Sequence, residues 1–386
     1  MQKLSREALD RSFRSALQHT NALTDVISTD DFSAAYPEDS DWAIGPFARD
    51  DAQTFRLDRQ WPDPTGVGWE SSSLFNPSLI QRGDDLHLFY RASPRKESLA
   101  SRIGHAVLDG ATGRWRDDER NPIVYPTQDN ELYGCEDPKV YAAEGRYFLF
   151  YNGIWPLAGT EEAAAYGVPA SAGEVGCDIN LAVSDDLVNW EKLGLVVPHE
   201  VSKLWAKGAV IPTDAQGNAA RIHGEYVMYL SEGCGDQLTL GRSTDMVNWR
   251  FEAVDYLDIS ELGALHEVAC AVVDGANVVL DFFYRDHSDG FAAGQARYEL
   301  AEPFVQRELH RGGSLAWGGL RRWRDAWTFA QGWDAPTGSR ELYLYRTAQE
   351  PSEPSAPSEP SAPSEPSEPS APSEAAEDAS TWRNPA

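Results

Sequence analysis

Between Trp69 and Thr347 the chain is written in short apolar runs separated by turn residues. DLHLFYRAS (85–93), RYFLFYNGI (146–154), EYVMYLSEG (225–233), VVLDFFYRD (278–286) and ELYLYRT (341–347) either alternate or are apolar throughout. Aromatic and β-branched residues dominate them, as a pleated, half-buried surface favours. No long helical period interrupts the series. Many short strands at fairly even spacing predict an all-β fold, either a barrel, a sandwich or a propeller. The clearest helical pattern lies ahead of them, in SREALDRSFRSALQHTNALTD (5–25). There Leu9, Phe13, Ala16 and Leu17 recur at three- and four-residue spacing, and Ser5 can cap the start.

An internal repeat narrows the fold. SDDLVNWEKLG (184–194) recurs 59 residues later as STDMVNWRFEA (243–253), and DGATGRWRDD (109–118) is a weaker copy. Repeats of roughly 40–60 residues, each about four strands long, mark propeller blades. The span 69–347 accommodates about five such periods. The expectation is a five-bladed β-propeller over 61–348, with a β-sandwich as the alternative. Residues 1–60 read as a helical and irregular arm, packing on the propeller or on another subunit. From Pro351 to Pro372 proline falls at every third position, with Ser, Glu or Ala between. That composition buries nothing, so 349–386 reads as a disordered, extended tail.

Charge excludes some partners. The 386 residues carry 33 Lys+Arg against 61 Asp+Glu, a net charge of −28. Nucleic acid and anionic membranes repel such a chain at long range. Lysine is scarce, and the tail carries only a minor part of the negative charge, so a salt-rich cytoplasm is one reading of the composition and a GC-rich genome the other. Cys135, Cys177, Cys234 and Cys270 are widely spaced, with no CxxC pair and no zinc motif. The start, MQKLSREALDRSF, lacks the apolar core of a signal peptide, and no apolar stretch approaches the ~18 residues needed to span a bilayer. Buried free thiols and a cytoplasmic location follow as expectations. The histidines show no ligand spacing, so neither a metal nor a cofactor is expected.

In a propeller the inner strands converge on the axis, and their side chains meet in one polar funnel. The clearest candidate for it is GCEDPKVYAAEGRYFLFYNG (134–153), where Glu136 and Asp137 precede Pro138 and two β runs. Neighbours on a strand point to opposite faces, so one carboxylate can enter the funnel while the other faces an adjoining blade. A plain Asp-Pro turn is the competing reading. Trp190 and Trp249 sit in the repeat and read as blade core. Trp205, Trp317 and Trp333 lie outside it and are candidates for stacking on a sugar ring.

At these positions the chain resembles glycoside hydrolase family 130. FNPSLI (75–80), HLFYRAS (87–93), SRIGHAVLDG (101–110), CEDPKVY (135–141), KGAVIP (207–212), EYVMYL (225–230) and GWDAPTGSRELYLY (332–345) fall in that family's order. The resemblance implies a five-bladed propeller acting on β-mannosides, as an inverting phosphorylase or hydrolase. It gives Asp137 the general-acid role, which calls for a raised pKa. It gives Asn76, Arg91, Arg102 and Asp334 the task of holding the sugar or the incoming nucleophile, and Glu136 and Lys207 are further candidates for binding substrate. The family's phosphorylases carry a His-Arg pair after the strand that follows Lys-x-Ala-x-x-Pro. Here that place reads Leu230-Ser231-Glu232, which favours water over phosphate. The base that inversion by hydrolysis requires is then Glu267 or Glu232. The expected partners are an oligosaccharide or glycoside, with inorganic phosphate in the phosphorylase alternative. A homo-oligomer contact through the helix, a non-catalytic sugar-binding propeller and a furanosidase with three carboxylates remain as further alternatives.

Overall fold

The computed structural model describes residues 5–18, 36, 40–59, 68–95, 98–157, 165–166, 175–214, 216–336 and 338–348. The Pro/Ser/Glu tail lies outside the described residues, as does the part of the expected helix beyond Gln18. One α-helix, Arg6–Gln18, precedes five antiparallel sheets that form a five-bladed β-propeller. Among the described residues, no helix is long and apolar enough to cross a membrane.

The blades run in chain order. Blade 1 is Ser73–Arg82, Asp85–Ser93, Arg102–Leu108 and Trp115–Asp117. Blade 2 is Gly134–Ala143, Arg146–Pro156, Val175–Ser184 and Glu191–Leu195. Blade 3 is Arg221–Ile222, Glu225–Leu230, Thr239–Ser243 and Arg250–Ala253. Its inner edge is broken, with Ala206–Lys207 pairing separately with Glu232–Gly233. Blade 4 is Gly263–Asp274, Asn277–Asp286, Phe291–Glu299 and Glu302–Arg311. Blade 5 combines Arg321–Trp323, Ala326–Gln331 and Glu341–Thr347 with Phe47–Arg56 from the start of the chain.

That last pairing corrects the expected boundary of the arm. Phe47 faces Thr347 and Arg56 faces Glu341, so ten residues read as arm supply the outer strand of blade 5. The ring is thereby closed by hydrogen bonds between two distant parts of the chain.

Five buried clusters fill the spaces between successive blades. Phe89, Ile103, Val140 and Leu149 join blades 1 and 2, and Phe150, Leu181, Met228 and Leu230 join blades 2 and 3. Tyr229, Leu240, Phe282 and Tyr298 follow, then Phe283, Trp317 and Phe329. Leu88, Tyr90, Trp323 and Leu344 complete the circle. The repeated segment is the turn between the third and fourth strands of blades 2 and 3. Ser184 Oγ accepts the Leu187 amide at 2.9 Å, and Ser243 Oγ accepts the Met246 amide at the same distance. Trp190 meets Phe89 edge-on at 5.6 Å and Trp249 meets Phe150 edge-on at 6.1 Å, so both tryptophans lock one blade to the preceding one. The four cysteines are buried free thiols.

One buried cation ties the axis together. Arg321 donates to the Leu79 carbonyl at 3.1 Å, the Val140 carbonyl at 2.9 Å and Thr213 Oγ1 at 3.2 Å. These acceptors belong to the inner edges of blades 1, 2 and 3. Removing the guanidinium leaves several buried acceptors without a donor. Arg321→Met is expected to cost about 3 kcal/mol, read as a lower denaturant midpoint at unchanged slope; an unshifted midpoint would count against this tie.

Candidate active site

Two matching irregularities build the funnel floor. The ladder of blade 1 breaks between Phe75 and Ser78, and that of blade 2 between Glu136 and Lys139. Each break holds an Asx-Pro step, Asn76-Pro77 or Asp137-Pro138. Proline has no amide hydrogen to offer a ladder, so the break wastes no donor. Asn76 and Asp137 take positive φ angles of 45° and 48°. Among L residues, Asn and Asp accept that region most readily. The equivalent steps of the two blades aim their side chains at each other: Asn76 Nδ2 donates to Asp137 Oδ1 at 2.7 Å.

Cations from two further segments complete the cluster. Arg91 Nη1 donates to Asp137 Oδ1 at 3.0 Å and Nη2 to Glu136 Oε1 at 2.7 Å. Lys207 Nζ donates to Glu136 Oε2 and Asp137 Oδ2, both at 3.3 Å. Ser101 fixes Arg91 by accepting its Nε–H at 2.8 Å. Asn76, Arg91, Glu136, Asp137 and Lys207 are therefore in direct contact.

Two more carboxylates lie close to this cluster. Glu232 pairs with Lys207 in the short ladder of blade 3 and accepts a hydrogen bond from Trp205. Glu267 lies on the inner strand of blade 4 and accepts the Trp317 indole N–H at 2.6 Å. Ser231 Oγ accepts the Val268 amide at 2.7 Å, tying the two segments together. Gly208, at φ +68°, gives Glu267 its room, because a Cβ there would stand 2.7 Å from Oε1.

The structure places two candidates at one remove. Arg102 is 1% exposed, and its Nη1 donates to the carbonyls of Ser101 and Tyr133. These bonds tie it to the segment that holds Arg91. Asp334 accepts a hydrogen bond from Tyr345 and follows Trp333, whose indole donates to Asn76 Oδ1 at 2.7 Å. Trp317 and Trp333 are buried, 5.3 Å apart, with their N–H groups directed to Glu267 and Asn76. Both rings pack in the core between blades 4 and 5. Trp205 remains partly exposed, beside Lys207. The motifs did not reveal the donor role of the two buried indoles.

Electrostatics reverses one expectation. Burial pushes the Asp137 carboxyl up, but Lys207, Arg91 and the Asn76 hydrogen bond outweigh it and hold Asp137 well below the usual carboxylate range. Asp137 thus rests ionised, not protonated. Lys207 shows the converse: burial opposes its charge, yet Asp137, Glu136 and Glu232 hold its pKa well above normal. Glu232 behaves differently. Burial, with repulsion from Glu267 and Asp137, lifts it to about 8 despite Lys207. It carries a proton near neutrality.

Residues 61–161 match a family model described as beta-1,4-mannooligosaccharide phosphorylase, Glyco_hydro_130. A beta-1,2-mannobiose phosphorylase of Thermoanaerobacter sp. (strain X514) is 28% identical over 174 residues, which are 42% of this chain and 48% of that protein. A 1,2-beta-oligomannan phosphorylase of the same organism is 29% identical over 186 residues, 47% of this chain and 53% of that protein. The chain spans about half the length of the curated relatives it matches. One solved structure is described as "The GH130 family of mannoside phosphorylases contains glycoside hydrolases that target beta-1,2 mannosidic linkages in Candida mannan". It shares the fold at a TM-score of 0.60 and 20% identity, covering 82% of this chain and 98% of that one.

Glu232 supplies a test of these charges. Its folded pKa lies above the ordinary glutamate value, so the folded state gives up stability as pH rises from about 4.5 to about 8. Glu232→Gln lacks that titration. Its melting temperature is expected to gain on the parent between pH 5 and pH 9; parallel curves would contradict the assignment.

In residues 61–161 and in its propeller fold the chain is thus similar to glycoside hydrolase family 130.

Proposed function

We propose that the chain hydrolyses β-mannosides with inversion of configuration. The supporting observation is the charge of the funnel. Glu136, Asp137, Glu232 and Glu267 line it, while Arg91 and Lys207 are already engaged with Glu136 and Asp137. A phosphate dianion entering there meets the paired carboxylates Glu136 and Asp137 and must compete with them for both cations. Water meets no such barrier.

The roles follow from position. Asp137 and Glu267 come from blades 2 and 4 and are linked through Asn76, Trp333 and Trp317. A sugar bound between them takes hydrogen bonds from Lys207 and Arg91, loosening their hold on Asp137. The carboxyl then takes up a proton from solvent and passes it to the glycosidic oxygen by way of a sugar hydroxyl, as the resemblance implies. The glycosidic C–O bond breaks as water adds to the anomeric carbon from the opposite face, and Glu267 accepts the proton of that water. Glu232 keeps its own proton near neutrality and is therefore not the base. Hydrogen bonds from Asn76 and stacking on Trp205 orient the ring.

The second reading is phosphorolysis, releasing a sugar 1-phosphate. The two curated relatives are phosphorylases by description, and Lys207 and Arg91 are the cations it would use. Incubation with β-1,2- and β-1,4-mannobiose, with and without phosphate, separates the readings. Hydrolysis is expected to give free mannose without phosphate, first as the α-anomer. A strict phosphate requirement would establish the second reading instead. Asp137→Asn is expected to lower kcat by about 10²–10⁴-fold, the usual contribution of a general acid; unchanged turnover would remove Asp137 from the chemistry.

A further inference from the structure

Lys139 follows the Glu-Asp-Pro step and is not in the funnel. It is 3% exposed. Its ammonium crosses the axis, donating to the Ala269 carbonyl at 2.7 Å and to the Trp317 carbonyl. The geometry of those acceptors is specific. The blade 4 ladder shifts between Leu265 and Glu267 and again between Val268 and Cys270, so Glu267 lies between two bulges and Ala269 has no partner in the ladder. A bulge turns a carbonyl out of the sheet, and a buried carbonyl needs a donor. Lys139 is that donor. The same ammonium holds the main chain of Trp317, whose indole N–H lies 2.6 Å from Glu267 Oε2.

We propose that Lys139 and Trp317 are positioning residues for Glu267: Lys139 clamps the two main-chain segments that present the carboxylate and its indole donor, and so keeps Glu267 aimed into the funnel. This rests on the reading of Glu267 as the base.

The charges around Glu267 agree with that task. Lys139 from blade 2 and Glu232 from blade 3 interact with it electrostatically, Trp317 from the segment leading to blade 5 donates to it, and Cys270 lies on its own strand. Burial lowers the Lys139 pKa, and the strongest opposing influence is Glu267, ahead of Cys270 and Asp137. Lys207 is engaged with Glu136 and Asp137. Lys139 is therefore the cation beneath Glu267 whose loss removes charge compensation from it most directly.

The test uses the full chain and two readouts. The first is a double-mutant cycle of Lys139→Met and Glu267→Gln followed by denaturant midpoint. Coupled residues give non-additive shifts, with Lys139→Met costing less in the Glu267→Gln background; additive shifts overturn the proposal. The second is the pH profile of kcat on β-1,2-mannobiose. Removing a nearby positive charge favours neutral Glu267, so the acid limb of Lys139→Met is expected to move up by about one pH unit. Its kcat should fall about tenfold, at little change in KM. Trp317→Phe, which removes the indole donor and keeps the ring, moves the limb in the same direction and decides the matter if Lys139→Met fails to fold. A folded Lys139→Met or Trp317→Phe variant whose acid limb stays in place overturns the proposal. Glu267→Gln separates the two levels: full kcat in that variant sinks the base assignment itself, whereas its loss beside an unmoved limb in Lys139→Met sinks only the clamp.

Discussion

The site depends on the ionic contact that joins Arg91 and Lys207 to Glu136 and Asp137. Arg91 and Glu136 are almost wholly buried, and Asp137 and Lys207 nearly so. Charges removed from water to that degree persist only when paired and hydrogen-bonded. Here the pairing spans three blades, since Arg91 belongs to blade 1, the carboxylates to blade 2 and Lys207 to the broken inner edge of blade 3. The blades must close before the charges are matched, and matched charges then oppose any opening of the ring. The same contact explains why Asp137 rests ionised and why a polar substrate able to draw on both cations would change that state.

Backbone irregularity does the aiming. Regular strands alternate their side chains and would send half of them away from the axis. The Asx-Pro steps of blades 1 and 2, the glycine after Lys207 and the double bulge around Glu267 each break the alternation where a polar group must face inward. The buried cations Arg321 and Lys139 satisfy carbonyls along the axis. The funnel floor is thus braced by donors that take no part in holding a ligand.

Much of this was legible in the chain. Aromatic and β-branched runs marked the strands, the Ser-x-Asp repeat set the period, and the Asn-Pro, Tyr-Arg-Ala and Glu-Asp-Pro segments named four members of the central cluster. The outer strand Phe47–Arg56 was not legible, because an outer strand faces solvent and FARDDAQTFR shows no apolar alternation. The ionised state of Asp137 was hidden for another reason. It depends on Lys207, 70 residues away, and composition cannot reveal a partner brought near by topology. The indoles of Trp317 and Trp333 read as stacking surfaces in the sequence; in the fold they are buried and their N–H groups bond Glu267 and Asn76. Lys139 stood in plain view beside Asp137, but its acceptors lie in blade 4 and in the segment leading to blade 5.

The account turns on a sugar lying between Asp137 and Glu267 and drawing Lys207 and Arg91 toward its hydroxyls. A crystal structure of the full chain with mannose bound tests this most directly. The account predicts a ring between the two carboxylates, within hydrogen-bond distance of Asn76 and of at least one of the two cations, with the Lys207–Asp137 contact lengthened. Mannose bound elsewhere on the propeller, or a ring in the funnel that leaves Asp137 untouched, would contradict it.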